Sequence, residues 1–327
     1  MPRFSRDNFR LSMLSITCLG SVYSATVVSQ FRSSVDSLLA GDYQPDEIVV
    51  VIDGPISSDL DFVIQLYSKY GYIRTVRLSS NQGLANALNA GMSISSSDII
   101  CRFDTDDISL PSRLCHVMQA FESDSRLDVF GSAIIEFSVG DDGRVATNLK
   151  KVPLGHPAIV KRMRYANPMN HPSVAFRRSS VQAIGGYRHM QYFEDYYLWL
   201  LASKAGLRFG NVETPLVCMR RTDLLSRRSG LRYALNEANF YFCCLAQGLI
   251  SPLLVPLFAL RCSSRLLPGF LQSFQSFLPW RIKASLQDCP QLPLWLSSEN
   301  NADLIPEVGV PYWTAWSRDV VNSKLAE

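Results

Sequence analysis

Asp104-Thr105-Asp106-Asp107 sets three carboxylates within four residues, directly after the apolar run Ile99-Ile100-Cys101-Arg102-Phe103. Carboxylate oxygens are hard ligands. Mg2+ or Mn2+ suits one or two of them, keeps several waters and takes substrate phosphates as further ligands. The natural partner of such a cluster is a nucleoside diphosphate. A lone Asp-x-Asp is more often a capped, solvated turn, so its surroundings decide. No Gly-x-Gly-x-x-Gly or P-loop pattern lies near the first apolar run, so phosphates would be held by metal and side chains instead. A second acidic pair, Glu194-Asp195, stands before Tyr196-Tyr197-Leu198-Trp199-Leu200-Leu201 at a helix entry, where the helix dipole favours negative charge. Neighbouring carboxylates separate in pKa, which leaves one suited to proton transfer. The plain alternative is a pair that hydrogen-bonds the helix start.

The elements that must carry these residues alternate. Leu11 to Ala25 is apolar after a basic lead, a weak signal-peptide shape, but Ser12, Ser15 and Thr17 break it at strand-like intervals. Phe31, Val35, Leu38 and Leu39 form a helical stripe, and Glu47 to Ile52 is a continuous apolar run ended by Asp53-Gly54-Pro55, as in a strand buried on both faces. A helix around Leu60, Ile64 and Tyr67, a strand over Ile73–Leu78, a helix begun near Asn81 and a strand over Ile99–Phe103 follow. This alternation predicts an α/β protein with a doubly wound, mostly parallel central sheet and helices on both faces. In such sheets ligands sit at the carboxyl ends of strands, where Asp53 and the Asp104–Asp107 cluster both fall. Pro111 opens a helix through Phe121, Leu127–Phe137 reads as a strand, and from Asn167 the pattern reads as loops.

The chain has 327 residues, 47% hydrophobic and 19% charged, with a mean hydropathy of +0.05, which excludes wholesale disorder and a polytopic transporter. A net charge of +3 is too mild to argue for a nucleic-acid partner. Eight cysteines without a Cys-x-x-Cys pair or zinc-type spacing suggest reduced thiols in an intracellular protein. The mild charge hides polarity along the chain. Met219 to Lys283 carries nine basic residues against two acidic, and Ala284 to Glu327 two basic against six acidic. Ala238 to Leu260 is free of charge and long enough to span a bilayer, but Gly248, Pro252 and Pro256 interrupt it and basic residues flank it. That favours helices lying on a membrane surface, with core packing and a true span as alternatives.

Several linked motifs carry a resemblance. Gln44-Pro45-Asp46-Glu47-Ile48-Val49-Val50-Val51-Ile52-Asp53-Gly54-Pro55, Asn81-Gln82-Gly83-Leu84-Ala85-Asn86-Ala87-Leu88-Asn89-Ala90-Gly91 and Arg102-Phe103-Asp104-Thr105-Asp106-Asp107, followed by Asn170-His171-Pro172, Gly185-Gly186-Tyr187-Arg188 and Glu194-Asp195-Tyr196-Tyr197, resemble the family 2 nucleotide-sugar glycosyltransferases of the GT-A fold. The likeness covers about residues 11 to 235 and is greatest to the bacterial branch that builds exopolysaccharide, capsule and O-antigen. It implies that Asp53 contacts the nucleobase, Asp106 lies by the ribose, and Asp107 with Asp104 holds Mn2+ or Mg2+. Asp195 is the implied general base and Glu194 shapes its field; Asn81, Arg102, His171 and Arg227 join the nucleotide-sugar site. A lone His such as His171 is more often a structural hydrogen-bonder, Trp199 is read as core, and Arg220, Arg221, Arg227 and Arg228 could equally clamp phosphate or face anionic lipid. The family usually has two acids where this chain has Ile52-Asp53, and Tyr-Asn where it has Tyr23-Ser24.

These residues together predict an inverting, metal-dependent transferase that moves a sugar from a UDP-type donor to a lipid-linked glycan at the cytoplasmic face of the cell membrane. Four segments are expected: 1–115 for the nucleotide sugar, 116–235 for the acceptor and base, 236–284 for the membrane, and an acidic tail at 285–327. A non-catalytic nucleotide-sugar-binding or scaffolding protein would share the fold but has no use for both acidic motifs. A nucleotidyltransferase would want a basic, glycine-rich loop after the first strand, where Leu19-Gly20-Ser21-Val22-Tyr23 offers one glycine.

Overall fold

A computed structural model describes residues 14–140, 142–221, 229–266, 281–284, 289 and 292–300. Strands β1 (Ile16–Val22), β2 (Glu47–Asp53), β3 (Arg74–Leu78) and β4 (Ile99–Arg102) form a parallel block in the order β3-β2-β1-β4. The apolar run after the basic lead therefore supplies the central strand. Successive side chains of a strand point to opposite faces. Leu19, Val49, Val51 and Ile100 join one buried cluster, whereas Cys18, Val50, Ile52, Ile99 and Cys101 join another, so the block is covered on both sides. Helices Val28–Leu39, Ser58–Lys69 and Arg113–Ser123 cover the second face, and helix Leu84–Ile94 lies on the first. That last helix comes close because Gly91 has no side chain: a Cβ there would collide with Leu19 and Val51.

Beyond β4 the sheet changes character. β5 (Ile108–Ser109), β6 (Val129–Val139), β7 (Val145–Lys150), β8 (Ala175–Arg177), β9 (Phe209–Arg220) and β10 (Arg281–Lys283) extend it to ten strands in the order β10-β7-β6-β8-β4-β1-β2-β3, with β9 beside β5 and β6. Most of these new ladders are antiparallel, so the sheet as a whole is mixed and the mostly parallel description holds for its first half alone. β8 lies in the stretch that reads as loop; three residues between turns show no periodicity, and their pairing to both β4 and β6 makes the strand. Its neighbours are the short helix Arg178–Ala183 and, farther on, Glu194–Lys204.

The uncharged run 238–260 is not one helix. It breaks into Leu231–Ala246, a turn at Gly248 with φ 64°, a 3₁₀ turn at Pro252–Leu254 and Val255–Ser264. Among the described residues no helix is long and apolar enough to cross a membrane. All eight cysteines are described, and none is in a disulfide.

Candidate active site

β4 ends at Arg102, and the chain turns through Asp104–Asp107 into β5. The turn is held from several sides. Phe103 N–H donates to the Leu19 carbonyl at 3.0 Å, the Ser34 hydroxyl to the Asp104 carbonyl at 2.7 Å, and Asp107 N–H to the same carbonyl at 3.3 Å. Arg113, almost fully buried, donates to the carbonyls of Arg102 and Pro172. The closing contact comes from the end of β9, where pairing of Ile108 with Cys218 brings Arg220 beside the turn. Arg220 N–H donates to Asp107 Oδ1 at 2.8 Å and its Nε–H to the Asp106 carbonyl at 3.2 Å.

One carboxylate oxygen from each of Asp104, Asp106 and Asp107 lies within 4.8 Å of the others. Burial, then the charge of Asp104, pushes the Asp106 carboxyl up to about 6 and holds Asp107 well above the usual carboxylate range. Asp107 Oδ2 is buried and has no hydrogen-bond partner. Crowded, desolvated acids with an orphaned oxygen fit a divalent cation, which would reverse both shifts. Asp104 differs from its neighbours, because the Arg102 guanidinium grips both of its oxygens. Arg102 thus meets the cluster through Asp104, as a buried partner.

Asp53, at the end of β2, accepts Gln82 N–H at 2.7 Å and Gly83 N–H at 3.0 Å. It thereby pins the loop before helix Leu84–Ile94, which starts three residues later than Asn81 because Gly83 adopts φ 84°. Asn81 is exposed beside it, its backbone so close to Gly54 that a Cβ on Gly54 would meet Asn81 N at 2.5 Å. Ile52, where the family usually has an acid, is packed into the core.

Glu194 and Asp195 open helix Glu194–Lys204, preceded by Tyr192 at the left-handed φ of 71°. Burial, then Asp195, raises the Glu194 carboxyl to about 7; Arg102 and Asp104 also act on it, so the two acidic motifs share one electrostatic environment. Asp195 Oδ1 accepts Tyr196 N–H and Oδ2 accepts Asn167 Nδ2–H, both at 2.7 Å. Asn167 is a residue that sequence reasoning passed over; its place in an irregular stretch, 28 residues before its partner, carries no signal. His171 lies 3.0 Å by Nε2 from the Tyr187 hydroxyl, and burial, with Arg102, holds its pKa well below the ordinary value, so it is a neutral hydrogen-bonder. Tyr187 is in turn fixed by Asn89, which bonds its N–H and its carbonyl. Trp199 is fully buried, as expected of a core residue. Arg227 lies outside the described residues.

The model of glycosyl transferase family 2 matches residues 28–185. A Haemophilus influenzae protein described as an uncharacterized glycosyltransferase is 35% identical over 271 residues, 81% of this chain and 99% of its own length. The chain belongs to glycosyl transferase family 2. Family 2 membership makes it a glycosyltransferase. The amylovoran biosynthesis glycosyltransferase AmsE of Erwinia amylovora is 34% identical over 258 residues, covering 78% of this chain and 95% of that one. The Escherichia coli UDP-Gal:alpha-D-GlcNAc-diphosphoundecaprenol beta-1,3-galactosyltransferase is 32% identical over 214 residues, 64% of this chain and 76% of its own. Among solved structures, the mannosyltransferase PcManGT from Pyrobaculum calidifontis, in complex with GDP-Man and Mn2+, superposes with a TM-score of 0.54 at 15% identity, covering 97% of this chain and 81% of that one. S. aureus TarS 1-349 with UDP-GlcNAc gives 0.51 at 13% identity, 68% and 64%. These likenesses show the GT-A fold.

Proposed function

We propose that this family 2 enzyme transfers a sugar with inversion from a UDP-sugar to a hydroxyl of a lipid-linked glycan in surface polysaccharide biosynthesis, at the inner face of the cell membrane. The observation that carries the site is the orphaned Asp107 Oδ2 within the three-carboxylate cluster at the end of β4. Asp107 with Asp104 would hold Mn2+ or Mg2+, and Asp106 would lie by the ribose. Asp53 and Asn81 border the nucleobase end, while Arg102 and His171 stand behind the cluster. When bound, the cation offsets charge on the departing nucleoside diphosphate, so no acid need protonate it. Asp195 takes the proton from the acceptor hydroxyl as that oxygen bonds to the anomeric carbon and the bond to the diphosphate oxygen breaks. Asn167 and the Tyr196 N–H orient Asp195, and Glu194 sets its field. A single displacement of this kind inverts the anomeric centre. The choice of UDP and of a lipid-linked acceptor is supported by the Escherichia coli relative, whose name pairs UDP-Gal with a diphosphoundecaprenol-linked sugar.

The membrane reading is supported by where charges lie after β9. From Tyr233 to Leu266 the charged residues are Glu237, Arg261 and Arg265, and both arginines donate to the fully buried Glu237 at 2.8 Å. The outward face instead shows Leu235, Phe242, Leu253, Leu257, Leu260 and Leu266, all exposed, with Leu253 at 89%. Water-facing helices do the reverse. Arg232, exposed on the first turn of helix Leu231–Ala246, suits anionic lipid.

Two measurements test this reading. In a screen of UDP-, GDP- and dTDP-sugars with Mn2+, slow release of nucleotide from a UDP-sugar is expected; no hydrolysis or metal-dependent binding with any donor would favour a non-catalytic protein. In flotation assays, the protein is expected to rise with phosphatidylglycerol vesicles and Leu260→Asp to reduce the floating fraction. A wild-type protein that stays at the bottom would end the membrane reading and leave the chemistry standing.

A further inference from the structure

We propose that Glu299, on helix Leu292–Asn300, is a positioning residue for the cation site: by neutralising Arg220 it keeps that guanidinium from competing with a divalent cation for the Asp104, Asp106 and Asp107 carboxylates. The inference rests on the metal reading above. Arg220 is built into the acidic turn through its N–H to Asp107 Oδ1 and its Nε–H to the Asp106 carbonyl, and its guanidinium stacks 4.8 Å from the centre of the Phe137 ring. A guanidinium is always charged, and a fixed positive charge beside three carboxylates opposes the binding of another. Glu299 answers that charge. Both of its oxygens accept from Arg220 Nη2, at 2.6 and 2.8 Å, with each side chain only 10% exposed.

The segment that carries Glu299 is tied to the catalytic sheet. β10 pairs with β7 as the edge strand of the sheet, Cys289 and Leu292 are buried with Ile108, Ile135, Phe137 and Cys218, and helix Leu292–Asn300 packs on helix Val28–Leu39. The Cys218 and Cys289 sulfurs lie 2.7 Å apart, two residues along β9 from Arg220. Helix Leu292–Asn300 thus places the Glu299 carboxylate next to Arg220, which itself contacts the acidic turn. Breaking a buried ion pair on one side leaves the other charge uncompensated; without Glu299, the acids nearest to Arg220 are those of the cluster.

Mn2+ binding to the full-length protein, followed by the electron paramagnetic resonance signal of the free ion with and without UDP, tests this. Glu299→Gln is expected to weaken Mn2+ binding about tenfold or more, the range found for residues that support metal ligands, and Glu299→Asp to stay near wild type. In the double variant Arg220→Met, Glu299→Gln both charges are gone while the backbone N–H to Asp107 remains and Met leaves an apolar side chain beside Phe137, so Mn2+ binding is expected to recover; it carries the comparison if the single variant fails to fold. Equal Mn2+ affinity in wild type and a folded Glu299→Gln, or no recovery in the double variant, overturns the proposal. A merely structural Glu299 would lower the melting temperature and leave the affinity of the folded protein unchanged, which also overturns it. Wild type that takes up no Mn2+ under either condition overturns the metal reading itself.

Discussion

Asp107→Ala is expected to lower glycosyl transfer on the order of 10³-fold, the scale of removing a group that stabilises developing charge. The substitution deletes the buried oxygen that has no protein partner and also strips Arg220 N–H of its acceptor, which costs about 1–3 kcal/mol of stability. Asp107→Asn separates the two effects, because its carbonyl can still accept from Arg220 while the charge is gone. Both variants should lose transfer, and the alanine variant alone should melt earlier. The pH dependence has a definite sign. The Asp106 and Asp107 carboxyls are held above the ordinary value in the folded protein, so the native state binds their protons more tightly and stability falls as pH rises above the ordinary carboxylate range, for Asp106 through about 6. Asp107→Asn should therefore remove the Asp107 share of this decline in denaturant titrations. Turnover at the wild-type rate in either variant would remove Asp107 from the site.

Asp195→Asn should cost between about 10²- and 10⁴-fold in kcat, the contribution of a positioned general base. Its carboxylate is held by Asn167 Nδ2 and Tyr196 N–H, so an amide of the same shape can keep part of this geometry and lose the basicity. Donor binding, measured as affinity for UDP with Mn2+, should be unchanged, which separates a base from a structural residue. Because burial and Asp195 raise the Glu194 carboxyl to about 7, kcat/KM should climb as pH passes 7: ionised Glu194 adds negative potential and makes Asp195 the stronger base. Glu194→Gln should flatten that climb. Asp195→Asn with intact turnover would exclude Asp195 as the base and move the search to its neighbour.

Much of the site was legible because its main parts are local. An apolar run that ends in an acid marks the carboxyl end of a buried strand, and this holds for Asp53 after β2 and for the Asp104–Asp107 turn after β4. Glu194 and Asp195 open a helix as their spacing before an apolar stretch predicts. Less legible were the strands of the second half. β8 is three residues long and β5 two, too short for a period, and their existence depends on partners already in place. His171 reads ambiguously in sequence, and only the Tyr187 hydroxyl and the surrounding burial make it a neutral hydrogen-bonder.

By itself the sequence determined the parallel βα block, the strand ends on which its acids sit, and the charge-free stretch 238–260, since each is a property of neighbouring residues read along the chain. Tertiary structure alone decided how the acids are held. Asp107 meets the backbone of Arg220 across 113 residues, Arg220 meets Glu299 across 79, and Asp195 meets Asn167 across 28. Such pairs share no pattern along the chain; the first two meet because β9 returns beside β5 and helix Leu292–Asn300 docks near both, and the third because the start of helix Glu194–Lys204 lies against the loop at Asn167.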